Sequence, residues 1–495
     1  MRRLTVAFGI AVATLTSTIY AGEGHVRRMR EPIRGQYLVM LENEHGRNVT
    51  AAAAALTHRF GGKVDREFHA ASTGFAISMT DAQAAALSHD PMVRFVEEAA
   101  VVHLSSEQTS AGYWLDRLDS SYDGKYWYCE KGADVTAYMI DTGVWVDHSE
   151  FQTNGASRVL PGNSWTSGSG DYLVKPGDSA DYGYFPFSGS SPNYTPCYWN
   201  HGTMTASILA GNTYGVAKGA SIVPLRIFKC SDNTTTTVYL NYAIDWIMSH
   251  YNPYRANRPA VLSMSVFQFV SDSCASSYPQ TAITQTQASY LENEIDALLG
   301  YGYNSSTGLF YTPYVVHETG YSDYNWYGIP IVVSANNLSS NAGDTTPARM
   351  AYHNAANFSS GGHVISVGGV DEYDALWSEA GYVADGCGYS HFKGSNYGDT
   401  VDIYASAHNI TGAWVTGTTA TTATNQLSGT SFSAPIVAGL IARLQQHYGT
   451  MTPAAAWSAL QSSSALPSSA IEPSGTNNKQ VARMYGQTTC STEYP

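Results

Sequence analysis

Three residues with complementary chemistry stand far apart in the sequence. Asp141 follows the apolar run TAYMI, His201 opens the segment HGTMTASILAG, and Ser431 lies within SGTSFSAPIVAGLIARL. A serine hydroxyl is a poor nucleophile until an imidazole takes its proton, and the imidazole needs a carboxylate to fix its tautomer. Taken singly, an Asp-x-Gly turn or a histidine at a helix start is usually incidental. Together the three residues predict acyl transfer through an activated serine.

The sequence around Ser431 predicts how its hydroxyl is presented. Small polar residues run directly into an apolar segment with helical spacing. Pro435 is tolerated near the start of that helix because first-turn N–H groups have no intrahelical partner. Free N–H groups and the positive end of the helix dipole favour an oxyanion formed when the serine attacks an acyl carbon. We therefore expect Ser431 as nucleophile, His201 as general base and Asp141 as the residue that orients His201.

Alternating strands and helices must position these residues. The segments DVTAYMID, GASIVPLRIF, AVLSMSVF and IPIVVSA are typical of strands, and HGTMTASILAG and YLNYAIDWIMSHY are typical of helices. Apolar, β-branched strands indicate a parallel sheet that is covered on both faces. The order predicts an α/β fold, with a doubly wound, mainly parallel sheet flanked by helices. In such sheets functional residues lie at the carboxyl ends of strands, which is where Asp141 stands.

A small α+β unit is predicted ahead of this sheet, over residues 36–102. QYLVML, GFAISM and VRFVEE read as strands, and VTAAAAALTHRFGG reads as a helix that ends at Gly61. Thr80 and Gln83 form a capping box that opens a second helix through Leu87. The composition turns small and polar at Ser105–Ser110, which predicts a linker or a processing site.

The first 21 residues are typical of a secretory signal. Arg2 and Arg3 precede an apolar run, and Ile19-Tyr20-Ala21 offers a small-residue cleavage site. A membrane anchor is the alternative, but Thr and Ser interrupt the run. Elsewhere the sequence lacks a stretch of ~20 apolar residues, so we expect a secreted protein with no membrane attachment once the signal is removed.

The charge distribution argues against a nucleic-acid partner. Residues 1–107 carry equal numbers of acidic and basic side chains, so the whole net charge of −14 belongs to residues 108–495. Nucleic-acid binding needs a basic stripe, and no run of basic residues appears there. We expect a freely diffusing, monomeric protein.

The three motif segments resemble the catalytic blocks of the subtilases, the subtilisin-like serine peptidases, in the order Asp, His, Ser. GTSFSAP is a highly specific motif, whereas DTG alone is weak. Further similar stretches are YWLDRLD, TPAR, HVISVGGVD and SNYGDTVDIYA, distributed as in the proteinase K and aqualysin branch. A catalytically silent binding protein of the same fold, and a related carboxypeptidase with glutamate in place of histidine, are the alternatives. The triad and the block HGTMTAS argue against them.

The resemblance implies a domain organisation and an activity. Residues 1–21 would be a signal peptide, 22–107 a ferredoxin-like inhibitory propeptide, and 108–495 a subtilisin-like catalytic domain. The implied activity is a secreted serine endopeptidase that hydrolyses polypeptides through an acyl-enzyme, with no cofactor for catalysis. Its propeptide would act as an intramolecular inhibitor until the enzyme cuts itself between His103 and Ser110.

The resemblance also implies a fourth catalytic group and a substrate-binding surface. The family has Ala-Gly-Asn after an apolar strand, and Asn337 takes the asparagine position as oxyanion donor. Asn336 replaces the glycine, and asparagine tolerates positive φ better than other non-glycine residues. The implied substrate-binding residues are Ser265, Val266, Phe267, Ser334, Ala335 and Asn336. Phe267 and Gln268 stand where the family has glycines, which predicts altered subsite preference, and Met204 replaces a second histidine and is expected to pack.

Cysteine and calcium expectations follow from the same comparison. The six cysteines have no C-x-x-C spacing, so metal binding by them is not expected. The resemblance implies a Cys197–Cys230 disulfide, and the other four cysteines allow three pairings. Structural calcium is a family expectation, and Asp371 matches a ligand position. An aspartate that caps a loop is the equal alternative for Asp371.

A tyrosine-rich segment, Tyr301–Gly328, interrupts the alternation of strands and helices. It lies in the chain between the implied substrate strand and the strand before Asn337. Long loops in compact domains are usually functional, so a rim or lid over the cleft is one prediction. The alternative is that the tyrosines simply cover an apolar face.

Overall fold

The computed structural model describes residues 26–29, 32–42, 48–69, 72–100, 106–119, 122–164, 200–228, 235–251, 259–269, 290–304, 309–311, 314–316, 324–351, 364–384, 390–416, 421–464 and 479–484. The chain divides into two compact units, Met1–Leu104 and Ser105–Pro495. The predicted signal peptide and the implied Cys197–Cys230 disulfide lie outside the described residues. Within the described part of the chain, none of the helices is both long and apolar enough to cross a membrane.

The first unit is a twisted sheet with two helices. Its elements are β1 (Val26–Arg27), β2 (Pro32–Leu41), α1 (Val49–Phe60), β3 (Lys63–Phe68), β4 (Gly74–Ser78), α2 (Asp81–Ser88) and β5 (Val93–Ala100). The strands lie in the order β1-β5-β2-β4-β3; β1 pairs with β5 in parallel, and the other neighbouring pairs are antiparallel. From β2 onward this is the β-α-β-β-α-β arrangement of a ferredoxin-like fold.

The helix boundaries of this unit follow the predicted chemistry. Gly61 ends α1 with φ +79°, a left-handed conformation that glycine adopts without a Cβ penalty. The Thr80 hydroxyl accepts the Gln83 N–H, and the Gln83 side chain bonds back to the Thr80 N–H, so the predicted capping box is confirmed. Both helices bury leucines, Leu56 and Leu87, against the sheet.

The second unit contains the following further strands and helices. The strands are β6 (Ser106–Thr109), β7 (Lys125–Tyr128), β8 (Thr136–Asp141), β9 (Gln152–Thr153), β10 (Ala156–Ser157), β11 (Asn163–Ser164), β12 (Ser221–Arg226), β13 (Ala260–Met264), β14 (Gln268–Phe269), β15 (Gly302–Asn304), β16 (Leu309–Tyr311), β17 (Tyr314–Val316), β18 (Tyr324–Trp326), β19 (Ile331–Ser334), β20 (Thr345–Thr346), β21 (Ile365–Val370), β22 (Ser378–Ala384), β23 (Ser390–Gly394), β24 (Ile403–Ser406), β25 (Ile410–Ala413), β26 (Thr424–Leu427) and β27 (Gln480–Val481). The helices are α3 (Tyr113–Asp116), α4 (His201–Ala210), α5 (Thr237–His250), α6 (Tyr290–Leu298), α7 (Thr430–Tyr448) and α8 (Pro453–Ser463).

A parallel sheet forms the centre of this unit, in the order β11-β12-β8-β13-β19-β21-β24-β27. Alternate side chains of each strand enter opposite cores. In β8, Ala137 and Met139 pack with residues of α4 and α7, whereas Tyr138 and Ile140 pack with residues of α5 and α6. Helices therefore cover both faces, and the predicted doubly wound α/β fold is confirmed.

Part of the segment predicted as a linker or a processing site has regular structure. Ser106–Thr109 forms β6 and pairs antiparallel with β7. The small polar residues suggested a loop, but backbone hydrogen bonds to a distant strand override that local preference.

The tyrosine-rich insertion leaves the body at the edge of the sheet opposite to Asp141. It starts beyond α6 and returns into the first residue of β19, and its described parts are the hairpins β15–β16 and β17–β18. At its base, Trp326 donates its indole N–H to the Leu298 carbonyl and packs edge-to-face on Tyr251. Because parallel strands place their carboxyl ends together, this contact places the base of the insertion at the edge away from Asp141. The rim or lid over the cleft stays a prediction.

Candidate active site

Three adjacent strands of the central sheet bring polar residues to one edge. Asp141 is the last residue of β8, Ser265 directly follows β13, and Asn337 lies three residues after β19. These strands are parallel neighbours, so their carboxyl ends share that edge. Helix α4 begins at His201 and α7 begins one residue before Ser431.

Asp141 and His201 form a direct pair. Nδ1 of His201 lies 2.9 Å from both carboxylate oxygens of Asp141. A carboxylate only accepts hydrogen bonds, so Nδ1 carries the proton in the neutral ring and Nε2 presents its lone pair. The Asp141 side chain is 2% exposed and that of His201 is 17% exposed. The carboxylate is thus buried in the protein while the imidazole ring reaches the surface. This tautomer and this placement are what a general base needs.

The carboxylate of Asp141 has two further donors. The Thr142 backbone N–H lies 2.6 Å from Oδ1, and the hydroxyl of Thr205 lies 3.2 Å from Oδ2. Thr205 is fully buried and stands four residues after His201 on α4, so both side chains project from the same face of the helix. Sequence reasoning missed Thr205, although this i, i+4 spacing was visible.

Gly202 allows the close approach of α4 to the end of β8. A Cβ at this position would lie 2.5 Å from the Gly143 carbonyl oxygen and 3.1 Å from Oδ1 of Asp141. Even an alanine would push the helix start away from the carboxylate. Close backbone packing therefore accounts for glycine directly after His201.

The Asp141 charge controls the titration of His201. Burial acts to lower the pKa of His201, but the charge and hydrogen bond of Asp141 outweigh burial, so the pKa is raised above 6.5. The imidazolium is therefore stabilised, which is the form that results when the ring accepts a proton from an alcohol.

Ser431 lies in the first turn of α7, close to His201. The Ser265 hydroxyl donates to the Ser431 carbonyl at 3.0 Å, and the ring of the following residue, Phe432, lies 5.9 Å from the His201 ring. The hydrogen bonds of the described residues do not include one between Nε2 of His201 and Oγ of Ser431. Catalytic hydrogen bonds are often long before substrate binds. The structure thus joins the acid to the imidazole and leaves the link to the hydroxyl open.

Asn337 is held by the first residue of α7. Its Oδ1 accepts the Thr430 backbone N–H at 2.8 Å and the Thr430 hydroxyl at 2.9 Å. With the amide oxygen turned to Thr430, the NH₂ group of Asn337 faces away from it and can donate to another acceptor. Asn336 has φ +83° and accepts the Asn337 N–H on its own side chain at 2.7 Å. The expected turn with asparagine in place of glycine is confirmed.

The residues implied to bind substrate fall into two groups. Ser265 is half-buried, Val266 is buried and Phe267 is exposed, in the segment between β13 and β14. Gln268, in β14, pairs with Thr346 of β20. The altered subsite preference expected from Phe267 and Gln268 stays a prediction.

The second group, Ser334, Ala335 and Asn336, is buried. The Ala335 N–H bonds to the Val367 carbonyl, and the Asn336 carbonyl accepts the N–H of Asn396. Both backbone groups are therefore engaged within the fold, and the substrate-binding role of these residues stays a prediction. Met204 is fully buried, so its expected packing is confirmed.

The structural calcium expected at Asp371 stays a prediction. Oδ1 of Asp371 accepts the backbone N–H groups of Tyr373 and Ala375, which is the loop-capping arrangement. Asp374 is paired with Arg117 and Arg483. Among the described residues, no three His, Cys, Asp or Glu side chains converge.

Cys129 is disulfide-bonded. The other five cysteines fall outside the described ranges, and so does its partner. The implied Cys197–Cys230 bridge stays a prediction.

Two family models match the chain. The Subtilase family matches residues 132–487, and Peptidase inhibitor I9 matches residues 36–105. The first match covers more than half of the chain and contains Asp141, His201, Asn337 and Ser431. The second covers the ferredoxin-like unit.

Three curated relatives span most of the chain. The extracellular serine proteinase of Thermus sp. (strain Rt41A) is 30% identical over 403 residues, covering 81% of this chain and 73% of the relative. The alkaline proteinase of Hapsidospora chrysogena is 26% identical, covering 92% of each chain. The cuticle-degrading protease of Metarhizium anisopliae is 26% identical, covering 94% of this chain and 97% of its own. The chain belongs to the subtilase family and is a serine endopeptidase with a peptidase inhibitor I9 domain at its N-terminal side.

Proposed function

We propose that Ser431 is the nucleophile of this endopeptidase, with His201 as general base and Asp141 as the residue that orients His201. Ser431 Oγ attacks a peptide carbonyl while Nε2 of His201 takes its proton. The imidazolium then gives that proton to the leaving amine, and an acyl-enzyme remains on Ser431. Water enters, His201 takes one of its protons, and hydrolysis of the ester restores the serine.

The oxyanion is held by two donors from adjacent segments. The NH₂ group of Asn337 supplies one hydrogen bond, because Thr430 occupies its amide oxygen. The backbone N–H of Ser431, in the first turn of α7, supplies the other. The helix dipole adds positive potential at the same point. These donors are fixed before the reaction, so little reorganisation is needed as charge develops.

The observation that carries the proposal is the Asp141–His201 pair at the sheet edge where α7 begins. A buried carboxylate bonded to Nδ1 leaves Nε2 as the ring acceptor, and the adjacent residue, Phe432, packs beside that ring. Among the described contacts Nδ1 of His201 is bonded to Asp141 and Nε2 has no bond within the protein, so Nε2 is placed to accept a proton.

Maturation and location belong to the same proposal. The chain is exported by residues 1–21 and cuts itself between His103 and Ser110, and residues 22–107 inhibit the cleft until then. The limit between the two compact units, after Leu104, falls inside that range. The names of the relatives support secretion. The mature protein is a monomer that acts on polypeptides and not on nucleic acid, and any calcium is structural.

A fluorophosphonate probe tests the nucleophile directly. The wild-type protein is expected to become labelled at Ser431, as located by peptide mass spectrometry, and Ser431→Ala is expected to remain unlabelled. Ser462→Ala, an exposed serine in α8, is the matched control and should label like the wild type. Labelling that persists in Ser431→Ala, or that is absent from the wild type, would contradict the assignment.

The mass of the secreted protein tests self-processing. The wild type should begin between His103 and Ser110, and Ser431→Ala should keep the whole precursor beyond the signal peptide. Normal processing of Ser431→Ala made in a host that lacks other proteases would show that the cut does not depend on this serine.

A further inference from the structure

The hairpin β22–β23 carries two large aromatic side chains on one face. Tyr382 and Phe392 are opposite each other in the antiparallel register, and their rings lie 5.0 Å apart at an angle of 32°. The two residues are 67% and 65% exposed. Stacked aromatic rings in water retain apolar area that a ligand could cover.

The base of this hairpin is hydrogen-bonded to the turn that carries Asn337. The Gly394 N–H donates to the Asn337 carbonyl at 3.3 Å, and the Ser339 N–H donates to the Gly394 carbonyl at 2.9 Å. Two residues beyond the hairpin, the Asn396 N–H donates to the Asn336 carbonyl at 2.9 Å. The hairpin is thus a continuation of the oxyanion turn.

The aromatic face is the face directed toward that turn. Gly394 and Phe392 are two residues apart on β23 and share a face. A Cβ on Gly394 would lie 2.4 Å from the Ser339 hydroxyl, which identifies the side on which the turn lies. The opposite face holds Lys393, which pairs with Glu379 at 3.1 Å and lies over the buried ring of Trp377.

The size of the patch decides what can cover it. Two aromatic side chains bury roughly 150–250 Å² each when fully covered. A stable protein–protein interface needs about 800 Å² from each partner, so this pair alone does not hold a second copy of the chain or a separate protein. A single apolar side chain of an extended polypeptide matches the area.

We propose that Tyr382 and Phe392 bind an apolar side chain of the polypeptide substrate at a distance from the cleaved bond. The proposal rests on the catalytic role given above to Ser431 and Asn337. One strand spacing of about 4.8 Å and two residues of about 3.3 Å each separate Asn337 from Phe392 along the hairpin. An extended substrate covers that distance with three to four residues. The aromatic pair therefore selects for a leucine-like residue three or four positions from the bond.

Peptide series with the same cleaved bond test this. Each peptide carries Leu or Ser three or four residues from the bond, on one side or the other, and a truncated peptide ends before those positions. For the double variant Tyr382→Ser/Phe392→Ser we expect kcat/KM to fall about tenfold on the Leu peptides at one of these positions. The Ser peptides and the truncated peptide should be cleaved as by the wild type.

The control is Tyr242→Ala, an exposed tyrosine on α5, which should keep the Leu preference. The single variant Phe392→Ser provides a second, milder test if the double change lowers stability. An unchanged ratio of Leu to Ser cleavage in the double variant overturns the proposal. Fluorophosphonate labelling of the same samples separates the subsite proposal from the proposed role of Ser431. A wild-type protein that does not become labelled would refute the role of Ser431 and would not bear on the subsite.

Discussion

The hydroxyl of Thr205 offers a sharp test of how the acid controls the base. Thr205→Val keeps the shape of the buried side chain and removes one donor to Oδ2 of Asp141, a contact of 3.2 Å. Asp141 keeps the Thr142 N–H and the His201 ring as donors. The change therefore weakens the stabilisation of the Asp141 negative charge while the carboxylate keeps two hydrogen-bond donors.

The magnitude follows from the geometry. A hydrogen bond to a charged group contributes about 1.5–3 kcal/mol. The hydrogen bond from the Thr205 hydroxyl to Asp141 is long, and the Gly202 carbonyl lies at the same distance of 3.2 Å. We therefore expect this hydrogen bond to contribute less than that range, about 1 kcal/mol. A carboxylate with one donor fewer attracts the imidazolium more strongly, so the pKa of His201 rises further. More of the enzyme is then protonated at acidic pH, and kcat/KM there falls about fivefold.

The assay is the pH dependence of kcat/KM on one peptide, from the acidic limb to the plateau. Thr205→Val should shift the acidic limb to higher pH and change the plateau little, and Thr205→Ser, which keeps the hydroxyl, should follow the wild type. Superimposed limbs for Val and wild type would refute the reasoning, because they would mean that the hydroxyl serves the Gly202 carbonyl alone.

Three further changes have defined outcomes. Asn337→Ala should lower kcat by roughly 10²–10³-fold with little change in KM, and an unaffected kcat would remove Asn337 from the oxyanion site. Glu292→Gln weakens the buried bidentate pair with Arg349 and should lower the free energy of unfolding by up to about 3–5 kcal/mol, measured by denaturant titration; unchanged stability would mean that the amide satisfies Arg349 equally well. Burial lowers the pKa of His148, whose neutral ring bonds to the Ala423 carbonyl, so its contribution to stability is complete above pH 6.5 and is lost as pH falls through the folded-state pKa. Thermal unfolding at several pH values should therefore show less acid sensitivity in His148→Gln than in wild type, and equal sensitivity would exclude this histidine as the cause.

Local sequence was sufficient for the elements that carry the site. Asp141 ends a strand that is buried on both faces, His201 begins a helix, and Ser431 lies in a first turn, each as its apolar pattern predicted. The positive φ of Asn336 followed from the resemblance, which has glycine at this position, together with the tolerance of asparagine for positive φ. These features depend on neighbours within a few positions along the chain, and that is what periodicity and capping rules describe.

The rest depended on contacts between distant segments. β6 pairs with β7 despite its polar composition, because pairing is decided by backbone partners rather than by hydrophobicity. The place of Tyr301–Gly328 in the chain left both a lid and a cover for an apolar face open, and the direction of β19 locates only the base of this insertion. The aromatic pair of Tyr382 and Phe392 could not be predicted, because it depends on the pairing register of β22 and β23, which no local sequence pattern contains.

The two hydrogen bonds from Thr430 to the amide oxygen of Asn337 have a mechanical consequence. They connect the loop after β19 to the first residue of α7, so the proposed nucleophile Ser431 and the proposed oxyanion donor Asn337 are held at a fixed relative position. Any small slide of that helix that closes the gap to the imidazole would carry both together and keep their mutual geometry. Reactivity should therefore depend most on the contacts between these two segments and the Asp141–His201 pair, and variants altered at those contacts should differ most in reactivity.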